Sequence, residues 1–327
     1  MKHVFITGIS GLLGANLVPL LLGQGFIVKA LLRNLKNYRE LQHQNLTLIQ
    51  GNLMDDLSGY LENIDIFIHI AAETAQNLLN YKDYYNPNVK AAVHLQKLCI
   101  QKKVKKFIFI SSANTLGFGT LENLGDENQV MKFPFTESFY AQSKKEAEDF
   151  LLLKKDQIET LILNPTFMLG EKDSKPSSGK IILMILNKKL VFYPSGGKNF
   201  VHVKDVAQGI INAINYGKNG EKYLLAGENL SYQSFFKKFN QLSGQKTVLI
   251  PLPNFLLIFL GFFGNFLRFF NIKTELNSTN MKILRINNYF SNQKSVQELH
   301  IKYHTVDEAI GEALVYFKTD FNQDFRY

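Results

Sequence analysis

Blocks of apolar residues alternate with amphipathic stretches along the first half of the chain. Short runs rich in Val, Ile, Leu and Phe are the strand candidates, and they cover residues 3–7, 26–32, 46–50, 64–70, 106–111 and 159–164. Stretches with helical periodicity, such as 12–22 and 89–101, lie between them. Strands that are apolar throughout and separated by helices are typical of a parallel sheet covered on both faces. The pattern therefore predicts an α/β fold with a doubly wound parallel sheet.

The alternation changes after the sixth strand candidate. Polar segments containing Pro and Gly appear there, and a strand–helix–strand pattern resumes only over 199–226. The rest of the chain is mostly helical in pattern and rich in aromatic residues. We therefore predict a main α/β domain over 1–164, to which 199–226 returns. A smaller, mostly helical lobe, formed by 165–198 and 227–327, is expected to bind the substrate.

A glycine-rich turn joins the first strand candidate to the first helix candidate. Its sequence is TGISGLLG, over residues 7–14, and the next strand candidate ends at Leu32, so the βαβ unit takes about 30 residues. Gly8 permits the tight turn, Gly11 lets a pyrophosphate approach the backbone, and Gly14 lets the helix pack close to the strand. The N–H groups at the start of a helix bind phosphate. The unit predicts a Rossmann dinucleotide site with contacts from Thr7, Gly8, Ser10, Gly11, Leu12, Leu13 and Gly14.

Composition and charge restrict the classes of function. The 46% hydrophobic and 20% charged content is ordinary for a globular protein, and the net charge of +9 comes largely from scattered lysine pairs. Such pairs without interleaved aromatic residues do not predict nucleic-acid binding. Cys99 is the single cysteine, and its apolar helical surroundings predict a buried thiol. With no signal-peptide pattern after Met1, we expect a cytoplasmic protein, and the histidine spacings predict no metal site.

Tyr140 and Lys144 form the candidate catalytic pair. They are four residues apart, so they share one face of a helix, and a neighbouring ammonium stabilises a phenolate. Ser112 follows the fifth strand candidate, where its hydroxyl can hold a substrate carbonyl beside Tyr140. Ser111 is the other serine at this point, and we expect it to lie against the cofactor.

These motifs resemble the extended short-chain dehydrogenases/reductases, the NAD-dependent epimerase/dehydratase family. The resemblance covers most of the chain and rests on TGxxGxxG together with seven later motifs. These motifs are Gly51-Asn52-Leu53 with Asp55, His69-Ile70-Ala71-Ala72, Asn88-Val89, Ser111-Ser112-Ala113, Tyr140-Ala141-Gln142-Ser143-Lys144, Asn164-Pro165 and FVHVKDVA from Phe200.

The resemblance implies a role for each matching residue. It implies that Tyr140 exchanges a proton with the substrate oxygen while hydride moves to or from the nicotinamide, and that Lys144 bonds the nicotinamide ribose. Asn88 is expected to be architectural, and homodimers are common in the family. Asn52 stands where the family usually has Asp, which weakens the expected adenine contact. Further cofactor contacts are expected from Asn52, Leu53, Ala71, Ala72, Ser111, Tyr140, Lys144, Pro165 and Phe167.

The end of the second strand indicates which dinucleotide is bound. An NAD site usually has a carboxylate there for the ribose 2′-hydroxyl, whereas this strand ends Leu32-Arg33-Asn34. Arginine suits the 2′-phosphate of NADP, by charge and by its bidentate geometry. We therefore predict NADP, with NAD as the alternative if Arg33 is only a surface residue.

Two further motifs bear on the reaction. Family dehydratases carry an Asp-Glu pair where this chain has Ala113-Asn114, and nucleotide-sugar enzymes commonly carry an arginine where it has Lys198 in GKNF. The chain more closely resembles the dihydroflavonol reductase and 3β-hydroxysteroid dehydrogenase-like group. We predict hydride transfer between NADP(H) and a small or lipophilic carbonyl/hydroxyl substrate. A nucleotide-sugar epimerase with tightly bound NAD and a non-catalytic NADP-binding regulator are the alternatives.

The segment 255–270 is the most apolar in the chain. Its uninterrupted run, 255–264, is ten residues long, while a membrane span needs about 20. We expect a buried or cap helix in which most side chains pack in the core. Some of them would form an apolar lid over the substrate. Peripheral membrane contact, helped by Arg268 and Lys273, is the alternative. The apolar side chains in question are Phe255, Leu256, Leu257, Phe259, Phe262, Phe263, Phe266 and Phe269.

Overall fold

A computed structural model describes residues 1–38 and 41–319. Its strands are β1 (His3–Thr7), β2 (Ile27–Leu32), β3 (Leu46–Gln50), β4 (Ile66–His69), β5 (Lys106–Ile110), β6 (Glu159–Pro165), β7 (Phe167–Leu169), β8 (Leu190–Tyr193), β9 (Gly197–His202), β10 (Lys222–Leu225), β11 (Glu228–Ser231), β12 (Val248–Pro251) and β13 (Asn287–Asn288). Its α-helices are α1 (Leu12–Gly23), α2 (Tyr81–Tyr84), α3 (Ala91–Gln101), α4 (Phe139–Leu152), α5 (Lys180–Ile185), α6 (Val203–Tyr216), α7 (Tyr232–Ser243), α8 (Asn254–Phe269), α9 (Ser278–Ile283), α10 (Gln293–Leu299) and α11 (Val306–Thr319). A π-helical stretch, Tyr85–Lys90, joins α2 to α3.

A seven-stranded sheet in the order β10-β6-β5-β4-β1-β2-β3 forms the centre of the molecule. All of its strand pairs are parallel. The order reverses beside β1, which places the carboxyl ends of β1 and β4 at the switch point where doubly wound folds bind dinucleotides. The predicted doubly wound Rossmann fold is confirmed. The first six strand candidates end within two residues of the observed strands.

Helices cover both faces of this sheet. On one face α1 and α6 pack together over β1 and β2, through side chains such as Val18, Leu21 and Ile210. On the other face, α3 and α4 pack on a row of stacked rings formed by Phe5, Phe67 and Phe107, whose centroids lie 5.1 and 5.3 Å apart. Cys99 is buried on this second face, as expected. The inner strands β1, β4 and β5 are buried along almost their whole length because neither face is exposed to water, whereas only Ile49 is buried in the edge strand β3.

The second half of the chain is divided between the large sheet and a smaller layer. β10 pairs with β6, and α6 packs on α1. β9, however, pairs with β7, β11 and β13 in a separate four-stranded sheet. Within 199–226, therefore, only the part from α6 onward lies with the large sheet. The division into a cofactor-binding domain and a substrate lobe stays a prediction.

The expectation for 255–270 was wrong about burial. The segment is helical, but in α8 the only buried residues are Leu257, Gly261 and Gly264. The exposed side chains include Phe255, Phe259, Phe262, Phe263, Phe266 and Phe269. An apolar run by itself does not reveal whether anything covers it, which is why the sequence suggested a core. Among the described residues, no helix is long and apolar enough to cross a membrane.

Candidate active site

The predicted site residues gather at the carboxyl edge of the large sheet. The turn after β1 carries Gly8, with φ of 82°, and a Cβ atom there would lie 2.6 Å from the backbone nitrogen of Ala71 after β4. A Cβ on Gly14 would lie 2.4 Å from the carbonyl oxygen of Gly8. Both contacts are too close for any side chain, so the protein's own packing requires glycine at these two positions.

Gly11 differs from the other two glycines of the loop. A Cβ there would meet only the carbonyl oxygen of Gly8, at 3.7 Å, which is an ordinary contact. Its φ of −100° and ψ of 170° are also open to other residues. The packing of the chain therefore does not require glycine at the N-cap of α1. A ligand that approaches this backbone closely would require it, so the turn over residues 7–14, the phosphate cradle, fits the pyrophosphate of a dinucleotide.

Thr7 holds the two central strand ends together. Its hydroxyl lies 2.7 Å from Nδ1 of His69 and accepts a hydrogen bond from the N–H of Ala71. His69 is fully buried, and desolvation holds its pKa down at about 3, so the ring is neutral. This contact fixes the spacing between the glycine loop and the Ala71-Ala72 segment. Thr7 therefore stabilises the glycine loop, and it also stays a predicted contact of the cofactor.

The remaining predicted cofactor residues lie on both sides of the glycine loop. Arg33 is exposed directly after β2, where it makes no side-chain hydrogen bond or ion pair with the residues 1–38 and 41–319. Asn52 is exposed after β3, where its N–H donates to Asp55, and Leu53 is half-buried beside it. Pro165 ends β6 and is buried, and Phe167 begins β7 and is half-buried.

Tyr140 and Ser112 are brought together, as the spacing predicted. Tyr140 lies in the first turn of α4, which Ser138 caps by accepting a hydrogen bond from the N–H of Ala141. Desolvation raises the pKa of Tyr140 to about 12, and a hydrogen bond with the Ser112 side chain opposes the rise. The phenol and the hydroxyl therefore lie close together beside the end of β5, an arrangement suited to holding a carbonyl oxygen.

Lys144 lies one turn further along α4 and is buried. Its ammonium group donates to the carbonyl oxygen of Ile110 at 2.6 Å and lies 4.0 Å from the centre of the Phe109 ring. Desolvation lowers its pKa to about 7, while the negative charge of Glu148 acts to raise it. Because its pKa lies near neutral pH, a small change in the surroundings of this lysine alters its charge.

Glu148 was missed by the sequence analysis. It is fully buried one turn beyond Lys144, and it accepts hydrogen bonds from Ser111, Thr115 and Asn164. Lys222 of β10 donates to its other oxygen at 2.5 Å. The (i, i+4) spacing from Lys144 was the available signal. The partner Lys222 was not predictable, since it arrives from a strand 74 residues later.

Ser111 and Ser112 point in opposite directions, as neighbours at the end of a strand do. The Ser111 hydroxyl donates to Glu148 in the interior, and its expected place against the cofactor stays a prediction. Ser112 faces Tyr140, which agrees with its choice as the catalytic candidate. Asn88 bridges the backbone of Glu73 to Ser143 by hydrogen bonds of 2.7 to 3.0 Å, the architectural position expected for it.

Two basic side chains lie at the small sheet. Lys198 of β9 has its ammonium group 5.2 Å from the centre of the Phe167 ring, and desolvation lowers its pKa to about 8. Arg285 lies just before β13, which pairs with β9 at Lys198. Its Nε atom is buried without a hydrogen-bond partner among the described residues. Arg285 belongs to none of the motifs predicted from the sequence.

Comparison with known proteins places this site in a family. The model of the NAD dependent epimerase/dehydratase family matches residues 4–226. A putative dihydroflavonol 4-reductase of Synechocystis sp. is 28% identical over 325 residues, which cover 96% of this chain and 94% of that protein. The sterol-4-alpha-carboxylate 3-dehydrogenase, decarboxylating, of Dictyostelium discoideum is 30% identical over 271 residues, covering 77% and 81%.

Solved structures share the same architecture. The crystal structure of gox2253 superposes with a TM-score of 0.83 at 26% identity, covering 97% of this chain and 98% of that chain. UDP-glucuronic acid 4-epimerase from Bacillus cereus in complex with NAD has a TM-score of 0.77 at 17% identity, covering 99% and 100%, a likeness that shows the fold alone. The chain belongs to the NAD dependent epimerase/dehydratase family of extended short-chain dehydrogenases/reductases, enzymes that work with a nicotinamide cofactor.

Proposed function

We propose that this enzyme transfers hydride between NADP(H) and a small, lipophilic carbonyl or hydroxyl substrate. The observation that carries the proposal is the proximity of the Tyr140 phenol to the Ser112 hydroxyl, with Lys144 one helical turn away. The names of two relatives, a dihydroflavonol reductase and a sterol dehydrogenase, support a ring-containing lipophilic substrate.

Each of the three side chains has a separate task. Bound nicotinamide supplies or accepts the hydride. Ser112 donates a hydrogen bond to the substrate oxygen and orients it towards Tyr140. Tyr140 gives its proton to that oxygen in reduction and takes it back in oxidation. Lys144, when cationic, lowers the cost of the phenolate that forms on Tyr140.

The preference for NADP is proposed from the end of β2. Arg33 is exposed there, without a carboxylate in the turn that follows the strand. A guanidinium at this point attracts a 2′-phosphate and offers it two parallel hydrogen bonds. The glycine loop, with its open Gly11, would hold the pyrophosphate.

Fluorescence titration with NADPH and then NADH tests the cofactor preference. We expect the wild type to bind NADPH at least about tenfold more tightly, a charge-assisted difference of about 1.4 kcal/mol. Arg33→Ala should remove this preference, and Lys97→Ala, on the exposed face of α3, should keep it. Equal binding of the two cofactors by the wild type would refute the NADP assignment and bring the epimerase alternative forward.

Tyr140→Phe tests the mechanism. Removing the hydroxyl should lower turnover by about 10²-fold or more, because a positioned acid/base group contributes 10²–10⁴-fold. The affinity for NADPH should stay within about twofold of the wild type, since a phenyl ring fills the same space. Tyr85→Phe, a half-buried tyrosine of the π-helical stretch, is the control and should retain turnover. Unchanged turnover in Tyr140→Phe would exclude Tyr140 from the chemistry.

One observation favours a nucleotide-sugar epimerase as the second candidate. Lys198 and Arg285 are two basic residues at the small sheet, and the Nε atom of Arg285 is buried without a hydrogen-bond partner among the described residues. An anionic diphosphate would satisfy both groups. An epimerase would interconvert UDP-sugars without net consumption of cofactor, whereas the reductase would consume NADPH in proportion to product. If neither reaction is found while NADPH still binds, the non-catalytic regulator becomes the better interpretation.

A further inference from the structure

The outward side of α8 carries an unusual concentration of exposed aromatic rings. Phenylalanine fills most of its solvent-facing positions, with exposures from 46% for Phe263 to 81% for Phe269. A fully exposed phenylalanine presents roughly 150–250 Å², so the ridge amounts to on the order of 900 Å², more than the largest patch of most monomers. This surface, the α8 ridge, consists of Phe255, Ile258, Phe259, Phe262, Phe263, Phe266, Phe269 and Phe270.

Packing on the opposite side of α8 holds the ridge outward. A Cβ on Gly264 would lie 1.1 Å from the carbonyl oxygen of Leu276, so the helix backbone is pressed against the chain that leads into α9. Gly261 approaches Ser278 in the same way, at 3.0 Å. Arg268 donates hydrogen bonds to the carbonyl oxygens of Asn77 and Leu78. The helix therefore cannot rotate to bury its rings without losing these contacts.

The exposed apolar surface extends beyond the helix. Leu190 and Phe192 point outward from β8, and Val248 of β12 pairs with Leu190 in register. The N–H of Leu252 donates to the carbonyl oxygen of Tyr193, which ties the end of this two-stranded sheet to the start of α8. The exposed side chains of this sheet therefore lie next to the start of α8 along the chain.

The chain segment that carries this surface is basic. Residues 229–274 contain no Asp or Glu, but they contain the basic residues Lys237, Lys238, Lys246, Arg268 and Lys273. Lys246 is exposed near the sheet edge, beside the exposed Lys188 and Lys189, and Lys273 is exposed beyond the other end of α8. Glu275 comes next and is paired with Lys180 at 2.8 Å. Exposed cations therefore flank the apolar surface at both ends.

We infer that the α8 ridge docks in the plane of a membrane surface that contains anionic lipid. The helix has 16 residues and is about 24 Å long, short of the roughly 30 Å hydrocarbon core, so it suits lying along the interface. Phenylalanine rings enter the acyl region while the flanking lysines meet the head groups. A second copy of the chain fits less well, because a two-fold contact would bring cations against cations with no carboxylate from 229–274 to pair them.

Docking in this way orients the active site. Arg268 bonds the loop after β4, and Lys282 of α9 donates to Glu137, three residues before Tyr140. The α8–α9 unit therefore lies next to the residues that lead into Tyr140, and docking would bring this side of the active site close to the lipid. This delivery of substrate from the membrane rests on the proposed lipophilic substrate, whereas the docking itself is independent of the reaction.

Vesicle flotation of the full chain tests the docking. We expect binding to phosphatidylcholine vesicles containing phosphatidylglycerol, with weaker binding to pure phosphatidylcholine and at high salt. The double variant Phe259→Gln/Phe262→Gln should lose at least about tenfold in partitioning, because two exposed rings no longer enter the lipid. The matched control Phe150→Gln/Val315→Gln changes two exposed apolar side chains on α4 and α11 and should bind like the wild type.

A tryptophan reporter gives a second readout. The chain contains no tryptophan, so Phe262→Trp provides a single probe on the ridge and Phe150→Trp a control elsewhere. The fluorescence emission of the ridge probe should shift to the blue and be quenched by brominated lipid, while that of the control should not change.

Absence of vesicle binding, or equal binding by the double glutamine variant, would overturn the proposal. So would a dimer seen by sedimentation that this variant alone dissociates, since the ridge would then be a self-association surface. NADPH binding and turnover are measured separately, so failure here leaves the proposed function unaffected.

Discussion

Lys144 and Glu148 connect the chemistry of single residues to the interior of the protein. Burial lowers the pKa of Lys144 to about 7, and the Glu148 carboxylate one turn away opposes that shift. Glu148 is held in turn by Ser111, Asn164 and Lys222. A carboxylate with this many partners cannot move away from the lysine without leaving buried polar groups unsatisfied. Glu148 is therefore a positioning residue for the charge on Lys144.

The pH dependence of reduction should show the effect of Glu148 on the pKa of Lys144. Lys144 is cationic below its pKa of about 7 and neutral above it, so a reaction that needs the ammonium group declines as the pH rises through that value. In Glu148→Gln the anion is gone, desolvation acts alone, and the pKa falls further. The descending limb of kcat/KM measured over pH about 5 to 9 should then move to lower pH.

Glu159→Gln is the control for this experiment. Glu159 begins β6, where it pairs with Lys106 at 2.9 Å, so the variant removes one carboxylate at the other end of the sheet. Its pH profile should match the wild type. A limb that stays in place in Glu148→Gln, or moves to higher pH, would contradict the assignment of the limb to Lys144.

The limits of sequence reasoning at this scale follow from distance along the chain. Tyr140 and Lys144 were predictable because both lie on one helix with a fixed spacing. The opposite directions of Ser111 and Ser112 follow from strand geometry. The expected contact of Ser111 with the cofactor stays a prediction. The contact of Glu148 with Lys222 joins α4 to β10, and no local pattern reports such a pair.

At the scale of elements, the glycine loop makes two substitutions distinguishable. Gly14→Ala places a methyl group 2.4 Å from backbone atoms of Gly8 and Ile9, so it should destabilise the turn and lower the melting temperature by several degrees. Gly11→Ala meets only one atom, at 3.7 Å, so the melting temperature should change by no more than about 2 °C. NADPH affinity should fall about tenfold or more in Gly11→Ala, because the methyl group occupies the approach to the backbone.

Calorimetry and NADPH titration on the two variants together show whether each glycine is needed for the fold or for cofactor binding. If Gly11→Ala binds NADPH as tightly as the wild type, the pyrophosphate does not approach this backbone. If Gly11→Ala instead unfolds as readily as Gly14→Ala, Gly11 is required by the fold, and its presence no longer indicates a pyrophosphate site.

Elements buried on all sides were predicted better than elements with an exposed face. β1, β4 and β5 are buried along almost their whole length because helices cover both sides, and their boundaries follow from composition. β8, by contrast, alternates exposed and buried side chains over four residues and pairs with β12, more than fifty residues later. α8 shows the same limit, since its sequence specifies an apolar helix but not that water faces most of its rings.

At the scale of the whole molecule, the large sheet is not built from one continuous segment. β10 supplies its edge beyond β6, and α6 covers α1 through buried side chains such as Val206 and Ile210. Both elements come after the small-sheet strand β9. The first 164 residues therefore contain the predicted cofactor contacts up to Lys144 but not the surfaces that complete their own core.

A fragment ending at residue 164 should consequently fail to fold cooperatively. Without β10, the edge of β6 is left unpaired, and without α6 the apolar faces of α1 and β1 meet water. We expect the fragment to lack near-UV circular dichroism, bind a hydrophobic dye and melt without a transition, while the full chain melts cooperatively. A fragment that melts sharply and binds NADPH would show that 1–164 is an autonomous domain. In that case α6 and β10 would be additions to a finished core, rather than parts on which the site depends.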